Sequence, residues 1–237
     1  MLSQAGREVL LKSVIQAIPT YIMGCFKFPI GLYHEIEALI KKFWWGQRGD
    51  CRKIHWVKWE DMTKFKIVDG MDFRDLALYN DSLLAKQAWC LLHNTTSLFY
   101  KVFKARFFPN STIVEATSSR MGSCAWKSIL RGRDIFQRGA RWRVGNGENI
   151  NIWQQQWLPR KHPTNLPTCP IQDFENAIVS CLIDQTTRQW RADLVDGLFV
   201  EEDAELIKSM SLSLVDAEDV IFWPYTNNVV YTCKSGY

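Results

Sequence analysis

Nine basic residues in the middle of the chain have the side chains needed to bind a polyanion. They lie on two predicted helices and on the segment after them: Lys101, Lys104, Arg106, Lys127, Arg131, Arg133, Arg138, Arg141 and Arg143. Contacts of lysine and arginine with phosphates supply most of the sequence-independent affinity for nucleic acids. Lys127 and Arg131 are four residues apart, and Arg138 is seven beyond Arg131, so one helix would carry all three on one face. The pattern predicts a positive wall along the phosphate backbone of a nucleic acid, without base-specific readout.

The distribution of charge along the chain agrees with this hypothesis. Residues 1–161 contain 25 Lys and Arg against 13 Asp and Glu, a net charge of +12. Residues 162–237 contain 4 against 12, a net charge of −8. Such asymmetry is typical of a protein in which one part faces a polyanion. The alternative is that ordinary solvated helix faces in the first part are basic.

The carboxylates do not form a recognisable catalytic pattern. A nucleic-acid polymerase needs paired carboxylates to hold two Mg²⁺ ions, and the sequence contains no adjacent Asp-Asp. The acidic residues 201–203 and 218–219 are expected on solvated surface. The sequence therefore predicts no catalytic residue and no enzyme activity for this chain alone.

The cysteines and histidines do not suggest a metal site or a cofactor. No CxxC zinc motif occurs among the seven cysteines. An odd cysteine count favours reduced, mostly buried thiols in a reducing intracellular compartment. The four histidines are isolated, and for His55 packing or hydrogen bonding is favoured over catalysis. No apolar run approaches the ~18 residues of a membrane span, so no membrane contact is expected.

The aromatic residues have two possible roles. Trp142 lies between two arginines and could stack on a base, but its alternation with Val144 favours the core. Trp44 and Trp45 end a predicted amphipathic helix, and they are expected to pack against Trp56 and Trp59 rather than form a stacking platform.

The elements that must position these residues follow from hydrophobic periodicity and from capping residues. The fold class is predicted to be mainly α with small β-hairpins (α+β). Helices are predicted over residues 3–18, 30–45, 76–92, 98–107 and 125–138, with two more near 190–199 and 201–210. Hairpins are predicted over 141–153, turning at 145–147, and over 220–233.

Particular residues support these helices. Ser3 is a predicted N-cap, and Leu10, Val14, Ala17 and Ile18 would form the buried face of the first helix. On the third helix, the buried face would be formed by residues that include Leu84, Ala88 and Leu91.

The chain is expected to have two domains. A helical domain over residues 1–157 would end in the first hairpin. Four prolines within residues 158–170 predict an extended linker. Residues 171–237 would form an acidic C-terminal segment.

Several blocks of sequence resemble one family in order along nearly the whole chain. They are residues 2–10 (LSQAGREVL), 17–21 (AIPTY), 43–46 (FWWG), 52–56 (RKIHW), 73–76 (FRDL), 83–87 (LLAKQ), 142–147 (WRVGNG) and 234–237 (KSGY). This pattern resembles the reverse transcriptase of plant non-LTR (LINE-type) retrotransposons, in the region after the polymerase core. Roughly residues 19–160 are also similar to an uncharacterised plant mitochondrial reading frame.

The resemblance implies that the chain is a thumb and connection region, helical and without the polymerase's catalytic residues. In that family, a zinc-binding reverse-transcriptase domain starts at the position of residues 234–237, so its metal ligands would lie beyond Tyr237. The implied partners are an RNA–DNA hybrid duplex and the upstream polymerase half. For such a protein the nucleus is expected rather than the mitochondrion.

The sequence departs from the family pattern at turn positions. Asp69 and Asp72 stand where the family has glycine, and Val229 stands where glycine often follows asparagine. Because L-residues enter positive φ less readily than glycine, these turns are expected to be weakened.

Three interpretations remain open. The first is a non-catalytic nucleic-acid-binding fragment of a retroelement polymerase. The second is an enzyme in its own right, for which the Asp-Asp metal site is missing. The third is a relic reading frame without retained activity, or a protein-interaction fragment with an exposed docking face.

Overall fold

The computed structural model describes residues 2–46, 54–117, 122–159, 175–213, 215 and 217–237. They form two compact units, Met1–Phe136 with Thr232–Tyr237, and Gln137–Tyr231. The α-helices are α1 (Gln4–Leu10), α2 (Thr20–Met23), α3 (Ile30–Trp44), α4 (Trp59–Met62), α5 (Leu76–His93), α6 (Leu98–Phe107), α7 (Cys124–Gly139), α8 (Ala192–Leu198), α9 (Glu201–Ser209) and α10 (Cys233–Gly236). The strands are β1 (Arg141–Arg143), β2 (Ile183–Asp184), β3 (Gln189–Trp190) and β4 (Val220–Phe222). This mainly helical fold with two small antiparallel sheets confirms the predicted class.

Side-chain caps begin three helices of the first unit, and the cap at Ser3 confirms the prediction for the first of them. Ser3 accepts the Gly6 N–H at 3.1 Å, and Ser97 accepts the Tyr100 N–H at 3.1 Å. Asp75 accepts the Ala77 and Leu78 N–H groups at 2.9 and 3.0 Å. These side chains satisfy first-turn donors that have no partner within the helix.

The buried face predicted for the first helix is wrong. After Leu10 the backbone continues as a π-helical segment, Leu11–Ile15, and the buried residues are Leu11 and Gln16. Ile18 is 71% exposed. Because a π-turn contains more residues than an α-turn, it shifts the side chains around the helix axis, and a 3.6-residue period no longer locates the buried face.

The core of the first unit surrounds Phe73. Trp44 meets its ring edge-on with centroids 5.3 Å apart, and Trp59 stacks on it at 5.8 Å. Trp44 and Trp59 therefore pack in the core, as expected. Trp56 does not, because it is 77% exposed.

Asn80 ties the segment before α3 to α5. Its side-chain oxygen accepts from the Phe28 N–H at 3.0 Å and from the Tyr33 hydroxyl at 2.5 Å. Its amide donates to the carbonyls of Met23 and Phe26 at 2.5 and 3.0 Å. Asn80 is fully buried, so these four bonds satisfy a side chain that would otherwise be costly to bury.

Two of the family-like blocks meet at α5. The Asp75 N–H donates to the Tyr237 hydroxyl at 2.8 Å, and the Tyr237 ring meets Tyr79 edge-on at 6.1 Å. The blocks at residues 73–76 and 234–237 are therefore in direct contact, and this contact holds α10 against α5.

In the second unit, β1 pairs antiparallel with β4, and Trp142 lies opposite Ile221. The predicted hairpin over residues 141–153 is therefore wrong about pairing. Ile150 and Ile152 are nevertheless fully buried in the core, as the alternation predicts. Asp219 accounts for the difference, because its carboxylate accepts the N–H groups of Gly145, Gly147 and Asn149 at 2.7, 2.9 and 2.9 Å. These three hydrogen bonds hold residues 145–149 against the segment that precedes β4.

The predicted hairpin over residues 220–233 is also wrong as a pair of strands. The turn forms, since the Trp223 N–H donates to the Val229 carbonyl at 2.9 Å, but β4 ends at Phe222 and pairs with β1. The positive φ values of 61° at Asp69, 54° at Asp72 and 53° at Val229 confirm that these positions have the backbone conformation that glycine adopts more readily.

The two compact units do not follow the expected domain limits. Residues 137–157, expected at the end of the helical domain, belong to the second unit, while 232–237 belong to the first. Of the expected linker over 158–170, residues 160–170 lie outside the described residues. The thiols are less buried than expected: Cys25, Cys124 and Cys181 are exposed, and Cys90 and Cys233 are half-buried.

Candidate nucleic-acid interface

The exposed face of α7 carries two of the predicted phosphate ligands of the first unit, Lys127 and Arg131, one helical turn apart. The opposite face packs inward through Trp126, Ile129 and Phe136. This division between a charged and an apolar face is that of an amphipathic helix on the surface of a core.

Close backbone contacts fix α7 in the first unit. A Cβ atom on Gly132 would overlap the backbone of Leu84, so α7 approaches α5 at a distance that only glycine allows. The Ser128 hydroxyl accepts the Lys27 N–H at 2.9 Å. Lys127 and Arg131 therefore project from a backbone that is held on two sides.

Arg131 acts electrostatically on the buried phenol of α3. Burial raises the pKa of Tyr33 to about 12, and the positive charge of Arg131 is a smaller influence in the opposite direction. Asp81, whose charge adds to the rise in this pKa, pairs with Lys27 at 2.6 Å. Arg131 itself has no ion-pair partner among the described residues.

Arg133 has a structural role. Its guanidinium donates to the carbonyls of Ala116 and Ile113 and pairs with Asp134 at 2.7 Å. Its side chain is only 16% exposed. Its donors are therefore used by the loop between α6 and α7, whereas the sequence predicts that Arg133 contacts phosphate.

Lys104 on α6 is committed to the same loop. Its ammonium group donates to the Ser111 carbonyl at 2.6 Å and lies over the Phe108 ring. Lys101 and Arg106 are exposed, and Arg106 lies over the Phe107 ring at 5.8 Å.

The α6 helix contacts α7 beside the basic face that Lys127 and Arg131 form. The α6 helix packs on Trp126, whose ring stacks on that of Phe107 with centroids 4.8 Å apart. At 100° per residue, Trp126 points about 100° away from Lys127 and about 140° away from Arg131 around the α7 axis. Contact with α6 therefore lies to the side of the basic face.

The remaining three basic residues belong to the second unit. Arg138 is exposed in the last turn of α7. Arg141 and Arg143 lie on β1, and Arg143 places its guanidinium 5.4 Å from the centre of the Phe222 ring. Trp142, between them, is half-buried and packs against the core of this unit, as its alternation with Val144 favours.

Other predicted features have mixed outcomes. His55 stacks on Trp45 with centroids 5.9 Å apart, a packing contact. Glu201 and Glu202 are exposed. Asp203 is 2% exposed and the Asp219 carboxylate accepts backbone N–H groups of a turn, so these two acids do not lie on solvated surface as expected.

Across the part of the chain that the structure describes, no group of three His, Cys, Asp or Glu side chains is placed to hold a metal ion. In the same part, no helix is long and apolar enough to cross a membrane.

Two important polar residues were missed by sequence reasoning. Asn80 lies four residues before Leu84 on the apolar stripe of α5, and a polar residue at such a position could have been recognised as a buried hydrogen-bonding centre. Asp219 gave no comparable signal, because its three partners lie more than 65 residues earlier in the chain.

Comparison with known proteins gives two relatives, both from Arabidopsis thaliana. The "Uncharacterized mitochondrial protein AtMg00310" is 34% identical over 148 residues, which cover 62% of this chain and 96% of that protein. The "Putative ribonuclease H protein At1g65750" is 26% identical over 244 residues, which cover all of this chain and 39% of that protein. The chain thus spans less than half of the second relative. No family profile and no solved structure matches.

These relatives support the plant and retroelement-like character of the sequence, but they do not identify a reverse-transcriptase thumb. The first relative is named as mitochondrial, which does not favour the nuclear location expected from the sequence. Identity of 34% across nearly all of that protein establishes the relationship: the chain belongs to the family of the Arabidopsis mitochondrial protein AtMg00310.

Proposed function

We propose that this chain binds the sugar-phosphate backbone of an RNA–DNA hybrid through the exposed face of α7 and has no catalytic role of its own. The observation that supports this most directly is the state of Lys127 and Arg131. Both side chains are exposed on a fixed helix, and neither has a hydrogen-bond or ion-pair partner among the described residues. Cations in this state can replace the counterions of a phosphate backbone.

The relatives and the resemblance support the same proposal. One relative carries the name of a ribonuclease H protein, and the sequence blocks resemble the region that follows a retroelement polymerase core. In such a polymerase, a helical region beside the catalytic core would hold the duplex by its shape and its phosphates. The proposed role is that of this thumb and connection region.

The salt dependence of binding tests the proposal. The affinity of the purified chain for a labelled RNA–DNA hybrid would be measured by fluorescence anisotropy between low and moderate salt. Lys127→Gln with Arg131→Gln is expected to weaken binding and to reduce the slope of log affinity against log salt by about two, one for each lost phosphate contact.

The matched control is Lys42→Gln with Lys58→Gln, which removes the same charge from exposed lysines of the same unit. This control is expected to keep the wild-type slope. Equal slopes for the two double variants would show that net charge, and not the α7 face, determines binding. Absence of wild-type binding at low salt would overturn the proposal and favour a relic without retained activity.

A second candidate is a protein-interaction role with the upstream polymerase half as partner. Large apolar side chains are exposed from the π-helical segment to α2: Val14 is 44%, Ile18 71% and Tyr21 85% exposed. Exposed apolar surface of this kind marks protein-binding sites when it is contiguous.

Co-purification with the separately expressed polymerase core of a plant non-LTR retroelement tests this candidate. Ile18→Asp with Tyr21→Asp is expected to abolish co-purification. Leu98→Asp with Val102→Asp, which changes two exposed apolar residues of α6, is the control and is expected to have no effect. Failure of the wild-type chain to co-purify would exclude this candidate.

A further inference from the structure

We propose that a small cavity beside β1, in the second unit, binds one unpaired base of a single-stranded nucleic acid. The cavity has a volume of about 180 Å³. The lining residues that matter here are Arg141, Trp142, Arg143, Trp157, Met210 and Phe222. This inference adds a ligand class and a second site to the proposed binding of a duplex by α7.

The size of the cavity limits its ligand. Pockets for drug-sized molecules have volumes of roughly 300–1,000 Å³. A cavity of about 180 Å³ is smaller than these, and it suits a single flat ring system rather than a dinucleotide or a folded peptide.

The pairing of β1 with β4 places arginine and aromatic groups on one face. Arg141 lies directly opposite Phe222, so their side chains share a face of the ribbon, and alternation along β1 adds Arg143 to that face. The distance of 5.4 Å between the Arg143 guanidinium and the Phe222 ring centre agrees with this arrangement. A guanidinium held parallel to or above a ring offers a second flat surface for stacking.

The chemistry of the lining favours a flat, anionic ligand. Two arginines and three aromatic residues line the cavity, while none of the described lining residues is acidic. Unpaired bases stack on aromatic rings and on arginine planes, and the adjoining phosphate pairs with a cation. A nucleotide unit of a single strand combines these two features. A phosphotyrosine side chain shares them in part, and the experiment below distinguishes the two.

The test compares an intact strand with one that lacks bases. Anisotropy would be measured at low salt for a short labelled deoxythymidylate strand and for a strand of equal length that carries abasic residues. Both strands have the same phosphates, so the ratio of their affinities reports base binding alone. The wild-type chain is expected to bind the intact strand at least about fivefold more tightly.

Two variants locate this preference in the cavity. Phe222→Leu and Arg143→Gln are each expected to bring the ratio close to one. Arg143 is exposed, so its variant is expected to fold even if Phe222→Leu does not. Arg191→Gln, an exposed arginine of the same unit outside the cavity, is the control and is expected to keep the wild-type ratio.

The outcomes separate this proposal from the first one. A wild-type ratio near one, or an unchanged ratio in both cavity variants, would overturn the base site whatever the hybrid assay shows. Stronger competition by a phosphotyrosine peptide than by thymidine monophosphate would also overturn it. Loss of hybrid binding in the α7 double variant, with the base preference intact, would show that the two sites are independent.

Discussion

The carboxylate of Asp219 accepts the backbone N–H of Gly145 at 2.7 Å, across 74 residues of sequence. The same carboxylate accepts the N–H groups of Gly147 and Asn149, both at 2.9 Å. The glycines of the block at residues 142–147 thus present their amides to one side chain of the segment before β4. A Cβ on Gly145 would overlap the Ala217 carbonyl, so the close approach also requires glycine.

Asp219→Ala is expected to lower the free energy of unfolding of the second unit by about 2–4 kcal/mol. The change removes three charge-assisted hydrogen bonds and leaves three backbone donors in need of water. Urea unfolding followed by tryptophan fluorescence measures the effect. The control is Glu218→Gln, an exposed carboxylate next to it, which is expected to stay within about 0.5 kcal/mol of wild type. Similar values for the two variants would contradict the role of Asp219.

Val229→Gly is expected to stabilise the turn after β4. Val229 has φ 53°, a conformation that costs an L-residue roughly 1–2 kcal/mol, and relief of this strain exceeds the added entropy of glycine in the unfolded chain. A gain of about 0.5–1 kcal/mol in thermal or urea unfolding is predicted.

Val230→Gly provides the control for this turn, since Val230 is 39% exposed like Val229 but has no positive φ. It is expected to destabilise the protein slightly, because glycine adds only unfolded-state entropy there. Equal effects of the two glycine variants would show that the φ of Val229 stores no strain.

The stability of the first unit is expected to fall in alkali through Tyr33. Burial raises its pKa to about 12 in the folded protein, above the value near 10 of an unfolded chain. The neutral phenol therefore stabilises the fold fully below about pH 10, and this contribution is lost as the pH rises toward 12. Ionisation also removes the proton that Tyr33 donates to Asn80.

Urea unfolding of wild type and Tyr33→Phe between pH 8 and 12 measures this contribution. The variant is expected to be less stable by about 1 kcal/mol near neutral pH. Without the Tyr33 hydroxyl, the side-chain oxygen of Asn80 accepts a hydrogen bond only from the Phe28 N–H. The difference should shrink as the pH rises above 10. A difference that stays constant across the range would contradict the raised pKa.

Gly132→Ala is expected to destabilise the first unit by about 1–3 kcal/mol, because the added methyl group meets the Leu84 backbone. Gly31→Ala in α3 is the control, since the space around Gly31 is open. Alanine has a higher helix propensity than glycine, so this change is expected to stabilise by up to about 1 kcal/mol. Thermal unfolding of both variants gives the comparison, and a tolerated Gly132→Ala would show that α7 can move away from α5.

Arg133→Gln is expected to act on stability and not on affinity for the hybrid. It removes donors to the Ile113 and Ala116 carbonyls, which predicts a loss of about 1–3 kcal/mol. Arg131→Gln is the counterpart: it should weaken hybrid binding and leave the unfolding free energy within about 0.5 kcal/mol. If the two variants exchange these effects, the assignment of roles on α7 is wrong.

The sequence by itself determined most of the helices and the turn positions. Ser3, Asp75 and Ser97 fix where helices begin, because capping is a contact between residues two or three apart. The positive φ at Asp69, Asp72 and Val229 agrees with the resemblance, because the family has glycine at these turn positions. The division of α7 into a basic and an apolar face follows from helical period alone.

The tertiary structure decided strand pairing and the state of each cation. β1 and β4 are separated by more than 70 residues, and Asp219, just before β4, binds the backbone that follows β1, a contact for which local patterning gives no signal. Arg133 and Arg131 look alike in sequence, yet the half-buried Arg133 donates to loop carbonyls and Arg131 is exposed. Whether a charged side chain meets solvent or a carbonyl depends on residues distant in the chain, and only the folded chain brings those residues together.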